Sequence, residues 1–142
     1  MGEHVLVPFD GSPLSERALD RVLTRHPEDD VTVLYVVDPL LAVYEGETKG
    51  LGAGESWSEW MTARTDAIRA DAEERAAERG RTVTVVVESG RPGRVVLAYV
   101  DDHDVDHVVM GSHGRSGVPR LVLGSVAERV MRESTVPVTV VR

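Results

Sequence analysis

Gly111, Gly114, Gly124 and Ser125 stand in the spacing G-x2-G-x9-G-S, directly behind the apolar run His107 to Met110. Glycine admits positive φ and close approach of backbone to a ligand, so the amides of such a loop can converge on an anion. Gly124-Ser125 falls where a helical pattern begins. A helix start adds unsatisfied N–H groups and the positive end of the dipole, each such charge contact being worth about 0.3–1 kcal/mol. Arg115 and Arg120 lie in the same loop and can neutralise phosphate charge. Glycine count alone would indicate ordinary turns. A strand in front, a helix behind and a serine at its cap make a phosphate cradle the better reading. There is no G-x-x-x-x-G-K-[ST] and no G-x-G-x-x-G after a strand, so the cradle is neither a Walker loop nor a dinucleotide fingerprint.

Other residues with chemical potential are weaker. His103 and His107 are four apart, which would suit a metal on one helix, but the intervening run crosses from a helix end into a strand and should separate their faces. The acidic residues around them read as a solvated turn. His113 can touch phosphate but has no partner acid to make it a base. Ser116 in Gly114-Arg115-Ser116-Gly117 lacks nucleophile-elbow spacing and reads as a turn residue. Trp57 and Trp60, three apart at a helix start, read as packing rather than as a platform for stacked bases. These residues point to no catalytic group and no metal ligand.

Composition narrows the field further. The chain has 142 residues, 42% of them hydrophobic, enough for one buried core and one domain spanning 1–142. Cysteine is absent, which removes disulfides, thiolate catalysis and cysteine-held metals and fits a cytoplasmic location. No apolar run reaches the length of a membrane span, and the N-terminus lacks signal-peptide character. A formal net charge of −8 argues against nucleic acid and anionic membrane as partners. Of the 16 basic residues only Lys49 is a lysine, against 24 acidic ones. Such a surface suits a salt-adapted organism, and a GC-rich genome would produce it equally well.

The elements that must carry the loop alternate strand and helix, the pattern of a parallel sheet covered on both faces. Strands are expected at His4 to Phe9, Val31 to Val37, Thr82 to Val87, His107 to Met110 and Pro137 to Val141, each looking buried on both sides. A first helix carries Leu14, Ala18, Leu19, Val22 and Leu23 behind a Ser12 cap and Pro13. Ser56-Trp57-Ser58-Glu59 has the form of a capping box opening a long, exposed helix to about Arg79, closed by Gly80. Pro92 opens a third helix, and Ser125 is expected to cap a fourth. Asp38 to Gly54, with Pro39 and four glycines, is expected to be a mobile loop. Ligands of an open parallel sheet sit beyond the carboxyl ends of its strands. This puts Pro8-Phe9-Asp10-Gly11-Ser12 and the loop after Gly111 on one edge.

The stretch Val109-Met110-Gly111-Ser112-His113-Gly114-Arg115-Ser116-Gly117, continued by Leu121 to Val130, resembles the signature of the universal stress protein family. Val5 to Ser12 resembles that family's opening strand and loop, and Val136 to Val141 its closing strand. The likeness covers nearly the whole chain apart from residues around 40–60. It implies a single-domain, Rossmann-like, open parallel five-stranded α/β sheet of the adenine nucleotide alpha hydrolase-like kind. It implies ATP as ligand, since the glycine motif is kept, with Mg²⁺ beside the triphosphate. By the same resemblance Asp10 faces the ribose or adenine, the backbone near Val36 meets the adenine edge, and Pro8 and Met110 line the pocket. Gly111, Gly114, Gly124, Ser125 and Val126 then surround ribose and phosphates. A homodimer paired through the last strand is also implied. The family's function would be nucleotide-dependent sensing, with slow ATP hydrolysis, AMP or cyclic AMP binding, or a protein-interaction scaffold as alternatives.

Overall fold

The computed structural model describes residues 2–40, 55–113 and 123–142. Within them lie five strands, β1 (His4–Pro8), β2 (Asp30–Val37), β3 (Thr84–Ser89), β4 (His107–Gly111) and β5 (Val138–Val141). Four helices are α1 (Pro13–Arg25), α2 (Glu55–Ala77), α3 (Pro92–Asp102) and α4 (Ser125–Glu133). The strands form one sheet in the order β3-β2-β1-β4-β5, every neighbouring pair parallel. The chain moves outward from β1 to β2 and β3, then crosses to β4 on the other side of β1. The reversal of winding falls between β1 and β4, where a crevice opens at the carboxyl edge of such a sheet.

Period-two alternation sorts the strand side chains between two cores. On one face Val5, Val7, Val31, Val33, Tyr35 and Val109 pack with α1 and α2. On the other, Leu6, Leu34, Val108 and Met110 pack with Val96, Val100, Ala127 and Val130 of α3 and α4. The central strands are therefore buried on both sides, as expected. The two edge strands are not: β3 and β5 contain no fully buried residue, and Val87 is exposed. Their β-branched composition gives no sign of which strand lies outermost.

Local chemistry accounts for most helix boundaries. Ser12 has extended backbone and its hydroxyl accepts from the Ser15 amide, with Pro13 at the first helical position. The α2 terminus is a Schellman arrangement: the Arg81 amide donates to Ala76 O and the Gly80 amide to Ala77 O, with Gly80 at φ +65°. Helix α2 is less exposed than its sequence suggests. Ile68, Ala72 and Ala76 form a thin buried stripe along one side. Arg75 ties it to α1, reaching Glu16 at 2.7 Å, Asp20 at 2.9 Å and Asp71 of its own helix at 2.9 Å.

Strands β1, β2, β4 and β5 each differ from the sequence expectation by one residue at one end, and α2 ends at Ala77; three further boundaries differ for identifiable reasons. Strand β3 begins two residues later than expected and runs to Ser89, because its ends follow the register with β2, from Thr32↔Thr84 to Val37↔Ser89. Helix α2 begins at Glu55, so Ser56 is inside the helix and not its cap. Gly124, not Ser125, is the N-cap of α4, with Ser125 its first helical residue. The Gly124 amide is held by Ser112 O, which fixes the extended turn one residue earlier than the serine would suggest.

Candidate functional site

The two loops singled out by sequence leave adjacent strands at one edge of the sheet. Strand β1 ends at Pro8, and its loop turns through Asp10, whose Oδ1 accepts the Ser12 amide at 2.9 Å. Gly11 takes φ +78°, a conformation that favours glycine. The Phe9 amide donates to Leu34 O at 2.9 Å, which carries the β1–β2 pairing one residue past the strand. Asp10 is thus built into the turn that launches α1, at the mouth of the β1/β4 crevice.

Strand β4 ends at Gly111, and absence of a side chain there is a packing requirement. A Cβ on Gly111 would lie 2.8 Å from Leu14 Cβ and 3.1 Å from the Leu14 backbone carbon, so the first turn of α1 rests on bare backbone. Ser112 follows, only 2% exposed. Its amide donates to Val141 O at 2.7 Å, and its carbonyl accepts the Gly124 amide at 2.7 Å. A Cβ on Gly124 would meet Ser112 O at 2.9 Å and both Cα and Cβ of His113 at 3.1 Å. The start of α4 is therefore backed closely onto the end of β4. Among the described residues no side chain caps it, which leaves the helix N-terminus with the character of an anion site.

Strand alternation puts Pro8, Val36 and Met110 on the same face of three neighbouring strands, the face shared with α3 and α4. Leu6 and Leu34, two residues before Pro8 and Val36, belong to that core, and Met110 is itself in it, with Val36 and Val126 packed against it. So Pro8, Val36 and Met110 share one face at the carboxyl edge, Val36 and Val126 pack on the core that holds Met110, and Gly111 and Gly124 meet through Ser112, with Ser125 opening the helix and Asp10 in the neighbouring loop. Gly114 and Arg115 of the expected set lie outside the described residues, as do Ser116, Gly117, Arg120 and residues 41–54 of the expected mobile loop.

Two residues with roles here were not singled out as site residues. Ser112 joins β4, β5 and α4, and its position beside Gly111 was the only sequence signal of this. Leu14 reads in sequence as one more apolar helix position, yet it is the reason Gly111 must stay bare.

The histidines do not form a common site. His103 stacks on Tyr99 with centroids 3.8 Å apart, while His107 Nε2 bonds Thr139 Oγ1 at 2.8 Å. Among the described residues no three His, Asp or Glu side chains are grouped to hold a metal ion. A polar cleft of about 530 Å³ opens at the opposite, amino-terminal edge of the sheet, lined by His4, Asp29, Asp30, Thr32, Thr84 and His103. The tryptophans sit near the start of α2, where the Arg64 guanidinium lies 5.5 Å from the centre of the Trp60 ring. Among the described residues no helix is long and apolar enough to cross a membrane.

A five-stranded parallel sheet in the order 3-2-1-4-5, with a glycine-bounded helix start at its winding reversal, defines a Rossmann-like α/β protein with a ligand crevice at the carboxyl edge. The chain belongs to the universal stress protein family, whose sequence pattern matches residues 1–142. It is 32% identical over 143 residues to the universal stress protein MJ0531 of Methanocaldococcus jannaschii, covering 97% of this chain and 81% of that one. The solved structure of MJ0577 from the same organism superimposes with a TM-score of 0.81 at 26% identity, covering 99% of this chain and 96% of that one. A universal stress protein solved in complex with cAMP gives a TM-score of 0.70 at 25% identity, covering 99% of this chain and 97% of that one.

Proposed function

We propose that this chain is a cytoplasmic, ATP-binding regulatory protein of the stress response, in which nucleotide occupancy of the β1/β4 crevice is the signal. The observation that carries this reading is the bare, uncapped start of α4 at Gly124, backed onto Ser112 on the face that bears Pro8, Val36 and Met110. The strands offer an apolar wall for a purine, and the helix start offers amides for phosphate. A family relative bound to cAMP supports an adenine nucleotide as ligand. Gly114 and Arg115 complete the cradle by their place in the motif, and Mg²⁺ accompanies the triphosphate through its phosphate oxygens.

Binding without dedicated catalysis fits the residues best. Hydrolysis requires a group that positions or activates water. Asp10 is the nearest candidate, and its Oδ1 is engaged by the Ser12 amide. The chain assembles as a homodimer through β5, an edge strand whose residues are only half-buried and whose one partner among the described strands is β4.

Titration calorimetry with ATP, ADP, AMP and cAMP tests the ligand, and a steady phosphate-release assay tests turnover. ATP binding with little release is expected. Preference for AMP or cAMP would replace ATP as the signal, and sustained release abolished by Asp10→Asn would make the protein an ATPase.

A further inference from the structure

Ser112 and His113 stand side by side where β4 gives way to the cradle, and their side chains form a hydrogen-bonded pair, Oγ to Nδ1 at 3.3 Å. The Ser112 hydroxyl is buried, and His113 Nδ1 is its partner. A buried hydroxyl proton without an acceptor is costly, so Oγ–H donates and Nδ1 accepts. A neutral imidazole that accepts at Nδ1 carries its proton on Nε2. The Cα and Cβ of His113 abut Gly124, which roots the side chain at the start of α4. It also lies two residues beyond the end of β4, farther out along the crevice than the strand residues.

We infer that Ser112 fixes His113 as an Nε2–H donor at the phosphate end of the crevice, making His113 the residue that favours nucleoside polyphosphates over monophosphates. This rests on the nucleotide reading of the site. The Gly124 amide is engaged by Ser112 O, so a nucleotide with its purine against the strands has the Ser125 and Val126 amides at the start of α4 for its first phosphate, and a longer phosphate chain has His113, farther out along the crevice, for the rest. Ser112 is the positioning residue, acting through the imidazole it orients. A hydrogen bond to a charged phosphate is among the stronger kinds, so its loss is expected to be measurable in affinity.

The test uses the full chain. Nitrogen-15 NMR of the imidazole is expected to show His113 as the Nε2–H tautomer in wild type and as a mixture in Ser112→Ala, which keeps the backbone groups that hold Val141 and Gly124. In calorimetry, His113→Ala is expected to weaken ATP about tenfold and AMP less than about twofold. His113→Gln, whose amide nitrogen stands near the place of Nε2, is expected to recover most of the loss, and His113→Asn is not. Thermal melts establish that each variant is folded. An ATP-to-AMP affinity ratio unchanged in His113→Ala, or a tautomer unchanged in Ser112→Ala, overturns the inference while leaving the nucleotide site standing. If wild type binds neither nucleotide, the nucleotide reading fails and this inference falls with it.

Discussion

The Gly124 amide donates to the Ser112 carbonyl across 2.7 Å, closing the base of the glycine loop, and the Ser112 amide in turn donates to Val141 O at 2.7 Å. One residue thereby joins the loop root, the helix that follows it and the edge strand β5. The loop is thus tethered at both ends to the sheet.

Gly124→Ala should break this closure. The added Cβ would lie 2.9 Å from Ser112 O and 3.1 Å from His113 Cα, both backbone atoms that cannot move independently. Overpacking of this kind costs about 1–3 kcal/mol. Urea unfolding is expected to show a loss of that size, with ATP affinity in calorimetry falling by more than tenfold.

Gly111→Ala acts at the other root and for another reason. Its Cβ would meet Leu14 Cβ at 2.8 Å and push α1 away from β4. A destabilisation of about 1–3 kcal/mol is expected in urea unfolding. Leu14→Ala keeps the clashing Cβ and should recover none of it, whereas Leu14→Gly removes that atom and should cost less on the Gly111→Ala background than in wild type; equal costs in both would show that the clash is not the cause.

The anchoring of the loop was partly legible in the sequence. Gly111, Gly124 and the helix after them follow from motif spacing, and the sheet follows from alternating apolar runs. What escaped depends on contacts between distant segments. The cap of α4 falls on Gly124 because of a bond from Ser112, the ends of β3 follow its register with β2, and the half-exposed state of β3 and β5 depends on strand order. None of these leaves a mark in local residue type. The anchoring role of Ser112 in particular lies in backbone bonds that any residue but proline could make.

Acid should weaken the fold through the amino-terminal edge. His107 lies 5.5 Å, ring to ring, from His26, and burial, reinforced by the His26 charge, lowers the His107 pKa below its ordinary 6.5. A histidine with a depressed folded pKa favours the neutral form, so its contribution is complete above about pH 6.5 and declines as pH falls from there toward the folded pKa. At lower pH Asp29 adds to the effect. Its pKa is held below 3.8 by the Glu3 amide and by His26, and its contribution is lost as pH drops through that lowered value. Melting temperature between pH 7.5 and 5 should fall more steeply in wild type than in His107→Gln, and parallel curves would refute the assignment.

Arg75 joins three carboxylates, Glu16, Asp20 and Asp71, across the α1–α2 contact. The cluster is partly solvated, so Arg75→Met is expected to cost only about 1 kcal/mol in low salt, near the upper range of exposed ion pairs. Three carboxylates then remain with less cationic compensation. Molar KCl should narrow the gap between variant and wild type in paired urea melts, since screening weakens both the lost attraction and the remaining repulsion.

The central claim is that an adenine nucleotide occupies the carboxyl-edge crevice between β1 and β4, and amide chemical-shift mapping during an ATP titration tests it most directly. Saturable shifts are predicted at Asp10, Val36, Gly111, Ser112, Gly124, Ser125 and Val126. Shifts confined to the amino-terminal cleft around His4, Thr32 and His103, or no saturable shift at millimolar ATP, would contradict it.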